Sequence, residues 1–494
     1  MFTLLIARLG DKLASPRRVP PAGPSNRPPR FPRLPRRANI RYVVVVDGEH
    51  YPPVVESALS GLASGGHEVA AAVLVGGVEK LPRGGVAAYG DVAVRSGDDP
   101  RDALDSAISD LSPDAVLDLS DEPVLDYRRR HELVAVALHR GIPYEGPDFR
   151  FSPPPRPRLA TMPTLAIIGT GKRTGKTAVS GYAARYLNSQ GHSPVVLAMG
   201  RGGPAEPEVL RGDEVALEPT DLLALADAGS HAASDYVEDA MLARVPTVGC
   251  RRCGGGLSGG VSISNVAAGV EVANELPGDL LILEGSGSAI PPVHADVTGL
   301  VMPASIPEEY LKGYMGPYRM LLADFVLVTM CESPFGSSSQ ISAITSLVKR
   351  AWRRAESRRD PDGEIRIVRT VFRPNPTRSV EGARVFVATT AVEAAQQSIT
   401  RHLESEHGCE VIGISHALSD RTRLEEELDG IKPGNVDVLL CEIKAAGIDT
   451  ATRWALGNDI DVVYMDNIPV GIDGDNPDAV FEWAGRLAGE RHGR

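Results

Sequence analysis

Residues 164–179 read TLAIIGTGKRTGKTAV, and the fold turns on this stretch. The apolar, β-branched run predicts a buried strand. Glycines and polar residues then break it, and AVSGYAARYLNSQG (178–191) continues with helical spacing to a terminal glycine. A strand that turns on glycines into a helix aims unpaired N–H groups and the positive helix end at an anion. In the spacing G-x-x-x-x-G-K-[ST], the lysine reaches nucleotide phosphates and the next hydroxyl binds Mg²⁺. Here those residues are Lys176 and Thr177. The first glycine of that pattern would fall on Thr170, but glycines stand at Gly169 and Gly171. The nucleotide loop is therefore a variant made of Gly169, Thr170, Gly171, Lys172, Arg173, Thr174, Gly175, Lys176 and Thr177.

On both sides of this loop, short β-rich runs alternate with longer helical patterns, the signature of βαβ units. The expected architecture is α/β: three consecutive layered units with mostly parallel sheets, the central one a P-loop NTPase fold. Composition shifts place an N-terminal α/β unit at 39–150, a possible substrate-binding lid. A proline-rich linker FSPPPRPRLATMP covers 151–163, the nucleotide unit 164–380, and a Rossmann-like unit 381–494. A chain of 494 residues is too long for one core, which agrees with about three domains. Residues 1–38 hold nine basic residues, one acid and eight prolines, a composition expected to be disordered. A net charge of −12 thus hides a +8 leader ahead of a −20 body. That body excludes a broad nucleic-acid-binding surface. The apolar runs fall short of the ~20 residues of a membrane span, and no secretory signal is visible. Five cysteines in this length do not make a disulfide framework. A cytoplasmic protein is expected, with no nucleic-acid or membrane partner and assembling as a homodimer.

A nucleotide site needs an acid for its metal, usually at the end of another strand. LLILEGSGS (280–288) supplies Glu284 there, expected to bind Mg²⁺ together with Thr177. TVGCRRCGGGLSGG (247–260) sets Arg251 and Arg252 beside a bendable glycine run, which suits either an anion clamp or a solvated surface loop. Cys250 and Cys253 in the same stretch leave a zinc or redox reading open. In the first unit, VVVVDGEHYPP sets Asp47 and His50 at a strand end, and DYRRRHE carries Arg128, Arg129 and Arg130. Acids beside basic clusters suit a second, phosphate-rich ligand. Lys312 lies in YLKGYMGPYRM, and VFRPNP (371–376) offers Arg373 and Asn375 after a strand, where nucleotide folds hold the base. In the third unit CEIKAAGID and YMDNIP carry Glu442, Lys444, Asp449, Asp466 and Asn467. Each cluster falls at the carboxyl end of an expected strand, where open α/β sheets bind ligands.

The loop together with a strand ending E-G-x-G resembles the dethiobiotin synthetase and cobyrinate amidase branch of P-loop proteins. The wider set DGEHYPPVV, GTGKRTGKTAVSGYAARYL, GCRRCGGGL, LILEGSGS and VFRPNP resembles the cyclic 2,3-diphosphoglycerate synthetases over nearly the whole chain from about residue 39. That resemblance implies an ATP- and Mg²⁺-dependent ligase that closes a phosphoanhydride ring in 2,3-diphosphoglycerate, releasing ADP and phosphate. Under it, Lys176, Glu284, Arg251 and Arg252 carry the chemistry. Arg251, Arg252, Arg128, Arg130, Lys312, Asp47 and His50 hold the small-molecule substrate, and Arg373 and Asn375 contact the nucleotide. Two other readings stay open: a carboxylate ligase or amidase of the related branch, and a nucleotide-switched regulatory ATPase. The switch proteins carry a lysine five positions before the loop lysine, where this chain has Gly171.

Overall fold

Two sheets organise the chain, and each is built from runs that bury both faces. The computed structural model describes residues 39–77, 79–81, 88–352 and 364–493; the expected disordered leader, 1–38, lies outside them. The first sheet comprises β1 (Arg41–Val46), β2 (Glu68–Leu74), β3 (Val94–Arg95), β4 (Ala115–Asp118), β5 (Tyr144–Glu145) and β6 (Arg150–Phe151) in the order β3-β2-β1-β4-β5-β6. Its strands are parallel except for the final β5–β6 pair. The change of winding direction between β1 and β4 opens a crevice at their carboxyl ends.

The second sheet begins with β7 (Thr164–Gly169), β8 (Pro194–Gly200), β9 (Glu208–Arg211), β10 (Pro246–Cys253), β11 (Ile263–Ser264), β12 (Leu280–Glu284), β13 (Val297–Pro303) and β14 (Phe325–Thr329). It goes on through β15 (Arg366–Pro376), β16 (Arg384–Ala388), β17 (Glu410–Ser415), β18 (Val438–Glu442) and β19 (Asp461–Gly471). The order is β11-β10-β8-β12-β7-β13-β14-β15-β19-β18-β16-β17, with β9 on β10. Fully buried runs such as TLAIIG in β7 and LLILE in β12 are what a parallel sheet covered on both sides requires.

The third unit does not have a sheet of its own. β15 pairs parallel with β14 through Arg366–Arg369, then antiparallel with β19 through Thr370–Pro376, so one sheet runs through both units. VFRPNP is thus the second half of a long strand and not the loop after one. Its prolines are tolerated because the strand changes partners there. The last helix, Pro477–Arg491, also departs from the sequence division. It packs on the nucleotide unit: Phe481 meets Phe325 edge to face at 6.1 Å, and Tyr182 donates a 2.6 Å hydrogen bond to Asp478. Helix Tyr127–His139 of the first unit lies against helix Gly316–Leu322, where Tyr127 fills the space beside Gly313. No described helix is long and apolar enough to cross a membrane.

At the amino ends of β7 and β13, buried Asp296 accepts from the Thr164 amide and hydroxyl, both at 2.9 Å, and from His492 at 3.2 Å. Burial alone would raise its pKa, but hydrogen bonds from His294, Thr164 and His492 prevail and hold it below the ordinary range. A depressed carboxylate contributes stability that is complete above its unfolded value and fades as pH falls toward the folded one. Asp296→Asn should therefore cost about 2 kcal/mol in urea unfolding at pH 7. The difference should shrink as the titration is carried below about pH 4; a cost that does not depend on pH would refute the carboxylate's role.

Candidate functional site

The loop after β7 closes on itself through its own lysine. Helix Lys176–Ser189 starts from Gly175, whose φ of 90° is left-handed backbone that favours glycine. A Cβ there would also lie 2.3 Å from the Phe372 ring, so β15 backs the loop. Gly169 is needed because a Cβ would meet the Lys176 chain at 2.7 Å. Lys176 is buried, and its Nζ donates to the Gly171 carbonyl at 2.7 Å and to Thr174 Oγ1 at 3.3 Å. Thr174 is held in turn, its carbonyl accepting from Thr329 Oγ1 at 3.0 Å. Thr170 anchors the turn through its amide on Val301, while Lys172 and Arg173 are exposed on its crest. Burial lowers the Lys176 pKa to about 8, opposed by Glu284 and Asp235 and helped by Arg201 and Arg252. These five charged groups are thus neighbours.

Glu284 ends β12, one strand away from the loop, with Glu284 opposite Ile167 of β7. It is buried, with the Thr177 hydroxyl and the Asp239 carboxyl beside it, and burial together with Asp235 raises its pKa. Asp235 and Asp239 come from the first turns of helix Asp235–Ala243. Neither was singled out in the sequence; the signal was SDYVED, a cap residue followed by acids one turn apart. Glu284 Oε2 and Asp239 Oδ2 are both buried without a hydrogen-bond partner. Orphaned carboxylate oxygens next to a loop hydroxyl are the donor set a hard divalent cation takes.

The arginine pair divides. Successive strand residues point to opposite faces, so only one of the two turns toward Glu284. Arg252 reaches past the end of β8 to the turn after Glu284, donating to the Ser286 carbonyl at 2.7 Å and its hydroxyl at 3.2 Å. Arg251 is exposed, and what anchors it is its backbone amide on Asn265. Arg201, directly after β8, takes the second position: a Cβ on Gly287 would lie 2.7 Å from Arg201 Nη2 and 3.3 Å from Arg252 Nη2. The sequence signal for Arg201 was MGRGG at a strand end. The C-x-x-C reading fails on the same alternation. Cys250 is buried under Gly269 while Cys253 is exposed, so the two thiols face apart.

Other expected site residues are engaged elsewhere. Arg130 donates to buried Asp118 at 2.8 Å and to the Ser120 carbonyl at 3.0 Å, bracing the first sheet. Arg128 stands exposed, 3.5 Å from Glu309, and Lys312 pairs with Glu308 one turn earlier. Arg373 forms a two-pronged pair with Glu332 at 2.7 and 2.8 Å, and Asn375 sits opposite Asp466 within β15. Asp47 and His50 join each other at 2.8 Å, with Asp121 3.4 Å from the other ring nitrogen. That crevice is acidic, which opposes phosphate. In the third unit, Lys444 meets Glu238 at 2.6 Å and Asp466 meets Arg185 at 2.8 Å, so these strand-end charges fasten the unit to helices of the nucleotide unit. Arg421 takes Asp449 at 2.6 Å. Glu442 accepts from Thr389, Thr390 and Asn467.

Comparison with known proteins identifies the family. Three family models match in series: the cyclic 2,3-diphosphoglycerate synthetase N-terminal domain over residues 41–152, its P-loop domain over 164–358 and its C-terminal domain over 376–468. A protein named cyclic 2,3-diphosphoglycerate synthetase from Methanothermobacter thermautotrophicus is 43% identical, the match covering 89% of this chain and 94% of that one. One of the same name from Rubrobacter xylanophilus is 44% identical, covering 88% and 96%. With all three domains matched in order and relatives alike over nine-tenths of their length, the chain belongs to the cyclic 2,3-diphosphoglycerate synthetase family.

Proposed function

We propose that this protein uses ATP to close a phosphoanhydride ring in 2,3-diphosphoglycerate, giving the cyclic compound, ADP and phosphate. One observation carries the reading. In a chain of net charge −12, whose described arginines mostly pair with acids, Lys176, Arg201 and Arg252 gather around the turn 284–288 and none donates to a carboxylate among the described residues. Lys176 and Arg252 are held by carbonyls and hydroxyls, and cations without a carboxylate partner keep their charge available for an anion. Bringing two phosphates of one small molecule into bonding distance is opposed by their own repulsion, which several fixed cations offset.

In this reading the loop amides and Lys176 hold the β- and γ-phosphates of ATP. Arg252 and Arg201 hold the acceptor against the Ser286–Ser288 turn. The bond from the γ-phosphorus to its bridging oxygen breaks toward ADP as that phosphoryl group joins one acceptor phosphate. An oxygen of the neighbouring acceptor phosphate then attacks the activated one, forming the P–O–P ring and expelling inorganic phosphate. The residues supply position and charge, which phosphoryl transfer chiefly needs. Thr177 and Glu284, with Asp239 beside them, would hold Mg²⁺, which when bound neutralises charge developing on the phosphates.

Phosphorus NMR of the purified full chain with ATP, Mg²⁺ and 2,3-diphosphoglycerate tests this. A cyclic anhydride resonance should grow in step with ADP and phosphate. If ADP appears only with a carboxylic acid and an amine, the chain is a carboxylate ligase; if hydrolysis is slow and needs a partner protein, it is a switch ATPase.

A further inference from the structure

Arg319, on helix Gly316–Leu322, is the most buried arginine among the described residues, 3% exposed. Among the described residues no carboxylate accepts from it. One amino group donates to the Ser288 carbonyl at 2.6 Å, both reach the Leu257 carbonyl at 3.3 Å, and one meets the carbonyl of Met315, just before its helix, at 3.1 Å. Its Nε is buried without a partner. Keeping a guanidinium dry and unpaired is costly, so carbonyl acceptors in a matching geometry are a demanding arrangement.

The two segments it joins flank Arg252: one follows it in the chain, and the other accepts hydrogen bonds from it at Ser286. Leu257 sits in the glycine run after Arg252, and Ser288 ends the turn after Glu284. The glycine run is otherwise held by backbone groups and Arg252: Gly256 donates to the Gly260 carbonyl at 2.8 Å, Gly259 to Gly256 at 3.0 Å, Ile290 to Gly259 at 2.9 Å and Arg252 to Gly254 at 3.1 Å. Five of its seven residues are glycines without side chains to pack, and Leu257 is 57% exposed. A segment this free of packing needs an external tie to keep one conformation.

We infer that Arg319 is a positioning residue: it ties the glycine run 254–260 to the turn 285–288 and thereby sets the direction in which Arg252 meets the acceptor phosphates. The inference rests on the anion-site reading above and adds a residue outside that site. Its helix is the one on which the first unit's helix Tyr127–His139 packs, so seating of the first unit reaches the acceptor site through the same guanidinium.

Hydrogen exchange of the full chain and substrate kinetics decide it. In Arg319→Met, exchange at the Gly259 and Ile290 amides should quicken by about tenfold or more while the loop 170–177 and the sheet keep their protection. KM for 2,3-diphosphoglycerate should rise about tenfold, with KM for ATP unchanged. Arg319→Lys, which can still donate to Ser288, should recover most of both effects. Should Arg319→Met fail to fold, Gly259→Ala opens the same contact from the other side. Its φ of +86° is left-handed, and the new methyl would press on Ile290 at 2.7 Å. That variant should show the same rise in acceptor KM. Unchanged exchange with unchanged acceptor KM in the folded variants overturns the inference, as does an equal rise in KM for both substrates. Exchange does not depend on the reaction. Faster loop exchange without any turnover of diphosphoglycerate by the wild type would therefore refute the functional reading and leave the tie intact.

Discussion

Lys176→Met will lower ATP turnover by about 10³-fold and leave the protein at least as stable as the wild type. The loss follows from where the ammonium sits: buried, folded over Gly169, and poised among loop groups that a phosphate would otherwise face. Methionine keeps the length and removes the charge. The stability half of the expectation follows from the same burial. Among the described residues the lysine has no carboxylate acceptor to lose; it donates to one carbonyl and one hydroxyl. Removing a cation that desolvation already disfavours relieves a cost of folding. Steady-state kinetics with a thermal melt on the same preparation separate the two. A melt lowered by more than about 4 °C beside the activity loss would mean that Lys176 is a structural tie, since that is roughly a 1 kcal/mol change.

Glu284→Gln is the second large effect, and its signature lies in the metal titration. Glu284 is isosteric with glutamine, so packing in the sheet is kept. What changes is a carboxyl whose pKa burial and Asp235 push up to about 8, so that above that pH it is a buried negative charge facing two further acids, Asp235 and Asp239. Like charges held together without a cation oppose folding, so the apo variant should melt higher than the apo wild type. Added Mg²⁺ should raise the melt of the wild type more than that of the variant, because a cation bound only by the folded state stabilises it by mass action. Turnover should fall by about 10²-fold or more, with half-saturation moved to higher Mg²⁺. An unchanged Mg²⁺ dependence would remove Glu284 from the metal site.

Most of the nucleotide loop was legible in the sequence because its information is local. Strand, glycine turn and helix follow one another within fourteen or so residues, and each step has its own backbone rule. Glu284 was legible for a related reason: an acid closing an apolar strand has few places to go but the ligand edge of the sheet. The domain boundaries were less readable. VFRPNP looks like a loop because two prolines interrupt it, yet Thr370–Pro376 pairs with β19. A change of partner along one strand leaves no trace in composition.

By itself, then, the sequence determined the class of fold, the loop that cradles phosphate and the acid beside it, since hydrogen-bond geometry and hydrophobic burial act over neighbouring residues. Only the tertiary structure decided which cations meet there. Arg251 and Arg252 are adjacent in the chain but lie on opposite faces of β10. Arg201 arrives from another segment because β8 and β10 run side by side, with Gly200 opposite Arg251. Charge in a crevice is a sum over strands brought together by the order of the sheet, and that order is set by which faces the whole chain can bury at once.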